Sequence, residues 1–316
     1  MASNRIWIPS IQKYKRMKEI DCEQYRDILK SIDDDTDFEL TLNEVINYNL
    51  LDKSIFSTIT LIDKFVILLQ LKVVSCGPIL KLTRVCEKCE SKTNFSIDLN
   101  KMLDDLSEKI DQSFSTTFHN ASISVTCDIP SLLLDETINV EETDYNKKLD
   151  LYLYSFIKNI KVGNSEINLD EISLSDKIAI CESLPFSLLL DIKNNFIDVL
   201  HKIFKNLLLL KTKCSNDKCE DSLELKMDFN NLTDLSKILF RDSSLANILG
   251  QYANISMNCH FDYNFYKNLS PGELDIVTNM LKSSEKDNTK SSKDINLFEE
   301  YNVNAAGMVE SPSEFL

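Results

Sequence analysis

Four of the chain's nine cysteines fall in two close pairs, Cys86-Glu87-Lys88-Cys89 and Cys214-Ser215-Asn216-Asp217-Lys218-Cys219. A C-x2-C turn offers two thiolates to one ion, a C-x4-C turn does so more loosely, and four such soft donors complete a zinc site. The flanks of the pairs match. Asp98-Leu99-Asn100 follows the first pair at the same distance as Asp228-Phe229-Asn230 follows the second, and Glu90 and Glu220 directly follow the second cysteine of each. Strand-like segments border both pairs, as in the halves of a zinc ribbon. One reading is a single zinc shared by Cys86, Cys89, Cys214 and Cys219 that ties two halves of the chain together. The other is two knuckles without metal, and the sequence separation, far beyond compact-ribbon spacing, favours it. Four thiolates would close the coordination sphere, so an ion there would be structural rather than catalytic.

The other chemistry-bearing residues read more plainly. Cys76, Cys127 and Cys181 lie within apolar patterns, as buried thiols do; Cys259-His260 is an alternative ligand pair. His119, His201 and His260 are the only histidines, and His201, beside the apolar stripe of a long helix, reads as a packed or boundary residue. No Gly-x-Ser-x-Gly, His-Glu-x-x-His, P-loop or Gly-x-Gly-x-x-Gly occurs. Asp33-Asp34-Asp35 and Glu141-Glu142 read as solvated charge. The chain is therefore expected not to be an enzyme; a cysteine nucleophile served by His119 or His260 is the alternative.

The elements that must position the knuckles follow from periodicity. Arg5 to Ile8 alternates as a strand stopped by Pro9, and Tyr14 to Ile20 can return beside it. Helices are expected at Cys22 to Ile32, Phe38 to Asn49 and Thr60 to Cys76, the last apolar nearly all round and ended by Gly77-Pro78. Strands enter and leave the first knuckle at Ile79 to Leu82 and Phe95 to Asp98. Phe114, Thr116 and Phe118, then Ala121, Ile123, Val125 and Cys127, alternate as a β-hairpin. From about Thr143 the pattern is helical, with Leu149, Tyr152, Leu153, Phe156, Ile157 and Ile160 on one stripe. A long helix follows Pro185, a strand at Leu208 to Lys213 leads into the second knuckle, and helices close the chain at Asp234 to Phe240, Leu245 to Ala253 and Pro271 to Leu281.

The expected fold is α+β and helix-rich, with β-hairpins carrying the two knuckles. An N-terminal α+β region over residues 1–128 holds the first knuckle and the β-hairpin. A helical region over residues 129–282 holds the second knuckle and the closing helices, and residues 283–316 are expected to form a flexible tail.

Composition narrows the function. With 35 basic against 50 acidic residues the net charge is −15, a field that repels phosphate backbones and argues against nucleic-acid binding. Met1 to Ser10 lacks the pattern of a secretion signal, and Ile59 to Val74 is interrupted by Asp63, Lys64, Gln70 and Lys72, so no membrane span is expected. In a reducing cytoplasm, paired cysteines are metal ligands or thiols before they are disulfides.

The order of features resembles the baseplate hub assembly proteins of T-even-type myoviruses. The resemblance rests on Ile6-Trp7-Ile8-Pro9-Ser10, on Asp63-Lys64-Phe65 through Leu68-Leu69-Gln70-Leu71 to Ser75-Cys76-Gly77, and on the Cys86/Cys89 knuckle with Ile97-Asp98-Leu99-Asn100. It continues through the Cys214/Cys219 knuckle and Tyr252-Ala253-Asn254, Tyr263 and Leu269-Ser270-Pro271-Gly272-Glu273. It implies non-enzymatic work in the host cytoplasm, helping to assemble the central hub of a contractile-tail baseplate with hub or other tail proteins as partners. The alternatives are a component retained in the virion baseplate and a zinc-ribbon regulator or adaptor.

Overall fold

The computed structural model describes residues 3–33, 38–110, 115–120, 122–131, 145–204, 209–219, 222–226 and 232–288. The fold is α+β: helices around one long buried helix, with small antiparallel sheets at the periphery.

Strand β1 (Ser3–Ile8) pairs with β2 (Lys13–Lys18) through a turn at Pro9–Ile11 that closes with Gln12 at φ 49°. Alternation buries Ile6, Ile8 and Met17 on one face. Helices α1 (Cys22–Asp33) and α2 (Phe38–Asn49) follow as expected. The central helix α3 (Leu61–Cys76) starts with a capping box between Thr60 and Asp63 and stops at Gly77, whose φ of 98° glycine tolerates without a Cβ clash.

Helix α3 is buried almost all round, so its polar residues must find partners inside the protein. Asp63 accepts the Ser10 amide at 2.8 Å and Ser75 Oγ accepts the Ile20 amide at 2.8 Å. Lys64 pairs with Glu39, and Lys72 reaches Tyr25 Oη and Asp242, both at 2.7 Å.

Beyond α3, β3 (Ile79–Val85) and β4 (Lys92–Asp98) form the first knuckle hairpin. Asp98 then accepts the Asn100 amide at 2.9 Å and opens helix α4 (Leu99–Ile110), an amphipathic helix burying Leu99, Met102, Leu106 and Ile110. The expected hairpin forms as β5 (Thr116–Asn120) and β6 (Ile123–Cys127); Phe114 and Ala121 lie outside the described residues. Helix α5 (Tyr145–Phe156) is shorter than expected, because β7 (Ile157–Val162) and β8 (Ser165–Asn168) extend this hairpin into a four-stranded sheet.

Ile157 and Ile160 are thus strand residues, not helical ones. Spaced by three, they would face opposite sides of a regular strand. A bulge opposite Thr126 and Cys127 absorbs Lys158, so both isoleucines turn inward, imitating the helical period. Gly163, at φ 60°, makes the tight β7–β8 turn.

Helix α6 (Leu174–Glu182), capped by Ser173, leads to the long amphipathic α7 (Phe186–Phe204). Strands β9 (Leu209–Lys213) and β10 (Ser222–Lys226) form the second knuckle hairpin, followed by α8 (Leu232–Phe240), α9 (Leu245–Cys259), α10 (Tyr263–Lys267) and α11 (Pro271–Asn288). Helix α9 passes Ala253 to end at His260 (φ 53°), and α11 runs on past Lys282, into the segment expected to be tail. The rest of that tail, from residue 289, lies outside the described residues.

The main core takes in the β1–β2 ribbon, α3, α7 and Leu274 of α11 alike. No helix among the described residues is long and apolar enough to cross a membrane.

Candidate metal centre

The two cysteine pairs meet. Cys86 Sγ lies 3.9 Å from Cys219 Sγ and Cys89 Sγ lies 3.4 Å from Cys214 Sγ, and all four sulfurs are within 4.8 Å of one another. A tetrahedral ion with metal–sulfur bonds of about 2.3 Å sets its ligand sulfurs about 3.8 Å apart. The cluster therefore has the size of a four-thiolate site, although its members come from hairpins separated by α4, α5, α6, α7 and the four-stranded sheet. All four are free thiols, and among the described residues they are the one group of His, Cys, Asp or Glu side chains placed to share an ion.

Each hairpin positions its pair through its turn. In the first, the Cys86 amide donates to Ser91 O at 3.0 Å and the Glu90 amide to Cys86 O at 2.8 Å, which folds the loop back on itself. Glu90 takes φ 56°, a left-handed conformation costing a non-glycine residue about 1 kcal/mol, and carries the chain back into β4. In the second, the Cys219 amide donates to Asn216 O at 2.8 Å, bringing the looser C-x4-C pair together.

Strand alternation decides what lies beneath the sulfurs. Thr93, Phe95 and Ile97 of β4 face inward, and the strand hands over from one environment to the next. Thr93 meets the second knuckle; Phe95 joins Cys86, Cys214 and Leu223 in a small separate core; Ile97 enters the main core. Leu82 packs against both clusters. The repeated unit read from the sequence is visible as hairpin and then helix in both places, while Glu220 and Asp228-Phe229-Asn230 lie outside the described residues.

Two residues that sequence reasoning missed join the hairpins. The Ser215 amide donates to Thr93 Oγ1 at 3.1 Å, and Ser215 Oγ donates to Lys92 O at 2.8 Å. The inward parity of Thr93 is readable from Phe95 and Ile97; for Ser215 the only signal is its place next to Cys214.

The thiols of the cluster differ among themselves: Cys214 is raised, the backbone hydrogen bond at Asn216 being outweighed by burial and by the neighbouring Cys89 and Cys86 sulfurs. A side-chain and a backbone hydrogen bond from Ser91 hold the Cys89 thiol down at about 6, in the range where a cysteine ionises readily. Burial instead pushes Cys127 up to about 12 and Cys181 and Cys76 up to about 11, so these remain protonated thiols within the fold. Cys127 and Cys181 are fully buried and Cys76 partly so.

Cys259 and His260 end α9 and join no ligand group among the described residues. His119 is exposed on β5. His201 is exposed as well, on the outer face of α7 rather than packed, because the buried stripe there runs through Val199 and Ile203. Asp33 ends α1, while Asp34, Asp35, Glu141 and Glu142 fall outside the described residues.

All four cysteines lie within the span that identifies the chain. Residues 2–235 match the family model described as T4 bacteriophage base plate protein. No curated protein and no solved structure matches significantly. With the match running over most of its length, from the β1–β2 ribbon through both knuckles, the chain belongs to the T4 bacteriophage base plate protein family.

Proposed function

We propose that this protein works without catalysis in the assembly of the central hub of a contractile-tail baseplate, with its four clustered thiolates holding one structural zinc. The family match over residues 2–235 carries this reading. The chemistry fits it: four sulfurs around one ion leave no open position for substrate. The partners are hub or other tail proteins, met in the cytoplasm of the infected cell. A net charge of −15 steers the chain toward basic surfaces on such partners and away from nucleic acid.

The test is affinity purification of the tagged full-length chain from infected cells. Hub proteins should copurify, and their absence, with other tail proteins in their place, would overturn the hub assignment. Mass spectrometry of purified particles then separates the two modes of action. An assembly factor is depleted from finished particles, whereas stoichiometric presence would make the protein a baseplate component.

A further inference from the structure

Among the described residues, the two knuckle hairpins meet chiefly at their sulfurs. They form separate two-stranded sheets, and among the described residues no strand of one is hydrogen-bonded to a strand of the other. Beneath the sulfurs, their shared apolar contact is the small cluster around Phe95 and Leu223. Polar ties between them include those of Ser215 to Thr93 and to the Lys92 carbonyl. Among the described residues, the β9–β10 hairpin packs extensively only on itself, whereas α3 is engaged by β1, α2, α4, α8 and α11.

We propose that one Zn²⁺, bound tetrahedrally by the thiolates of Cys86, Cys89, Cys214 and Cys219, is the fastener that seats the β9–β10 hairpin on β3–β4, so that losing the ion opens this clasp while the main core stays folded. The inference rests on the zinc reading above and adds what the ion does. Four thiolates in a tetrahedral cluster suit zinc or iron among the biological metals, and elemental analysis decides between the two. On binding, each thiol gives its proton to solvent and forms one zinc–sulfur bond; on release the sulfurs take protons back, with no electron transferred. Without the ion, two short hairpins that share no ladder among the described residues keep the Ser215 hydrogen bonds and one small apolar contact, and an isolated pair of strands is marginally stable at best. The main core excludes Phe95 and Leu223, so it loses none of its members when they separate.

The experiment uses the full-length chain expressed with zinc and purified without chelators. Elemental analysis should give about one zinc per chain, and exchange for Co²⁺ should give the intense visible bands of a tetrahedral cobalt–thiolate site. Hydrogen exchange is then compared before and after zinc is stripped under reducing conditions. Peptides covering 84–95 and 209–226 should lose protection, those covering 61–76 and 22–33 should keep it, and added zinc should restore the first pattern.

A chain with four reduced thiols and no zinc would overturn both the zinc reading and the clasp, as would stoichiometric iron or two disulfides in place of the ion. Zinc bound at one per chain with unchanged exchange in both hairpins would overturn the clasp alone. So would loss of protection throughout α3. A Cys219→Ser variant gives a second route: it should hold zinc far more weakly and expose 209–226 with α3 still protected. Failure of the hub assignment would appear only in the purification from infected cells and would leave these readouts unchanged.

Discussion

The Gln70 side chain brackets the backbone of Trp7, accepting its amide at 2.9 Å and donating to its carbonyl at 2.8 Å. Gln70 sits mid-way along α3, and this double bond fixes the β1–β2 ribbon on that helix. Gln70→Leu should therefore cost about 2–3 kcal/mol, because it leaves two backbone groups without partners and their partial burial puts each near the low end of the usual range of about 1–3 kcal/mol. Trp7 is the only tryptophan. Denaturant unfolding followed by its fluorescence measures the loss, and a variant as stable as the parent would show that water replaces the amide there.

The motifs behind the family resemblance owe their residue types to such contacts. Asp63, Gln70 and Ser75 grip the backbone at Ser10, Trp7 and Ile20, so the opening segment and the buried helix require each other's chemistry. Burial of α3, the amphipathic α7, the β5–β6 hairpin and the paired knuckles are all legible from period and spacing. The β7 strand is not, since a bulge gives Ile157 and Ile160 a helical spacing; the Gly163-Asn164 turn signal is the clue that could expose it. Nor can sequence alone bring Cys89 to Cys214, because their meeting depends on how the intervening helices pack.

A second close approach joins α3 to α11. A Cβ on Gly272 would stand 2.9 Å from the Ser75 carbonyl oxygen, a backbone atom held in the end of a buried helix. Alanine ordinarily favours a helix over glycine by about 1 kcal/mol, but overpacking of this kind costs about 1–3 kcal/mol. Gly272→Ala should thus destabilise. Gly250 of α9 has nothing within 4 Å of the corresponding position, so Gly250→Ala should stabilise by up to about 1 kcal/mol. Thermal melts of the two variants should move in opposite directions, and a shared direction would refute the steric explanation.

Asp170 serves two lysines, contacting Lys158 at 3.1 Å and the buried Lys177 at 3.4 Å. Burial lowers the Lys177 pKa below its ordinary 10.5, and Asp170 partly opposes that shift. Asp170→Asn should cost about 2 kcal/mol at neutral pH, less than a fully buried pair because the carboxylate is half-exposed. With the folded pKa lowered, the unfolded chain binds more protons between that value and 10.5, so stability rises with pH across this window. The Asn variant should therefore recover some of its loss in alkaline solution, and adding Lys177→Met should remove that pH dependence. Urea midpoints measured from neutral pH to about pH 10 give the answer; an equal deficit throughout would exclude Lys177 as the cause.

Thr93 offers the most direct way to separate the geometry of the proposed metal centre from its ligands. Its hydroxyl oxygen accepts the Ser215 amide at 3.1 Å, one residue from Cys214, and the side chain is almost wholly buried. Thr93→Val keeps the shape and the strand propensity of β4 but removes that acceptor, so the second knuckle loses a tie that holds Cys214 opposite Cys89. Partners behind a metal ligand typically contribute about 10–100-fold in affinity. The valine variant should keep all four thiolates and bind one zinc, yet lose it to a competing chelator at roughly tenfold lower chelator concentration. Thr93→Ser, which restores the hydroxyl, should bring affinity back toward the parent even though a methyl group is missing from the buried site. If valine binds as tightly as threonine, the Thr93–Ser215 contact follows from hairpin docking and does not position the site; if serine fails to restore what valine loses, packing of the methyl group, rather than the hydrogen bond, is what Thr93 supplies.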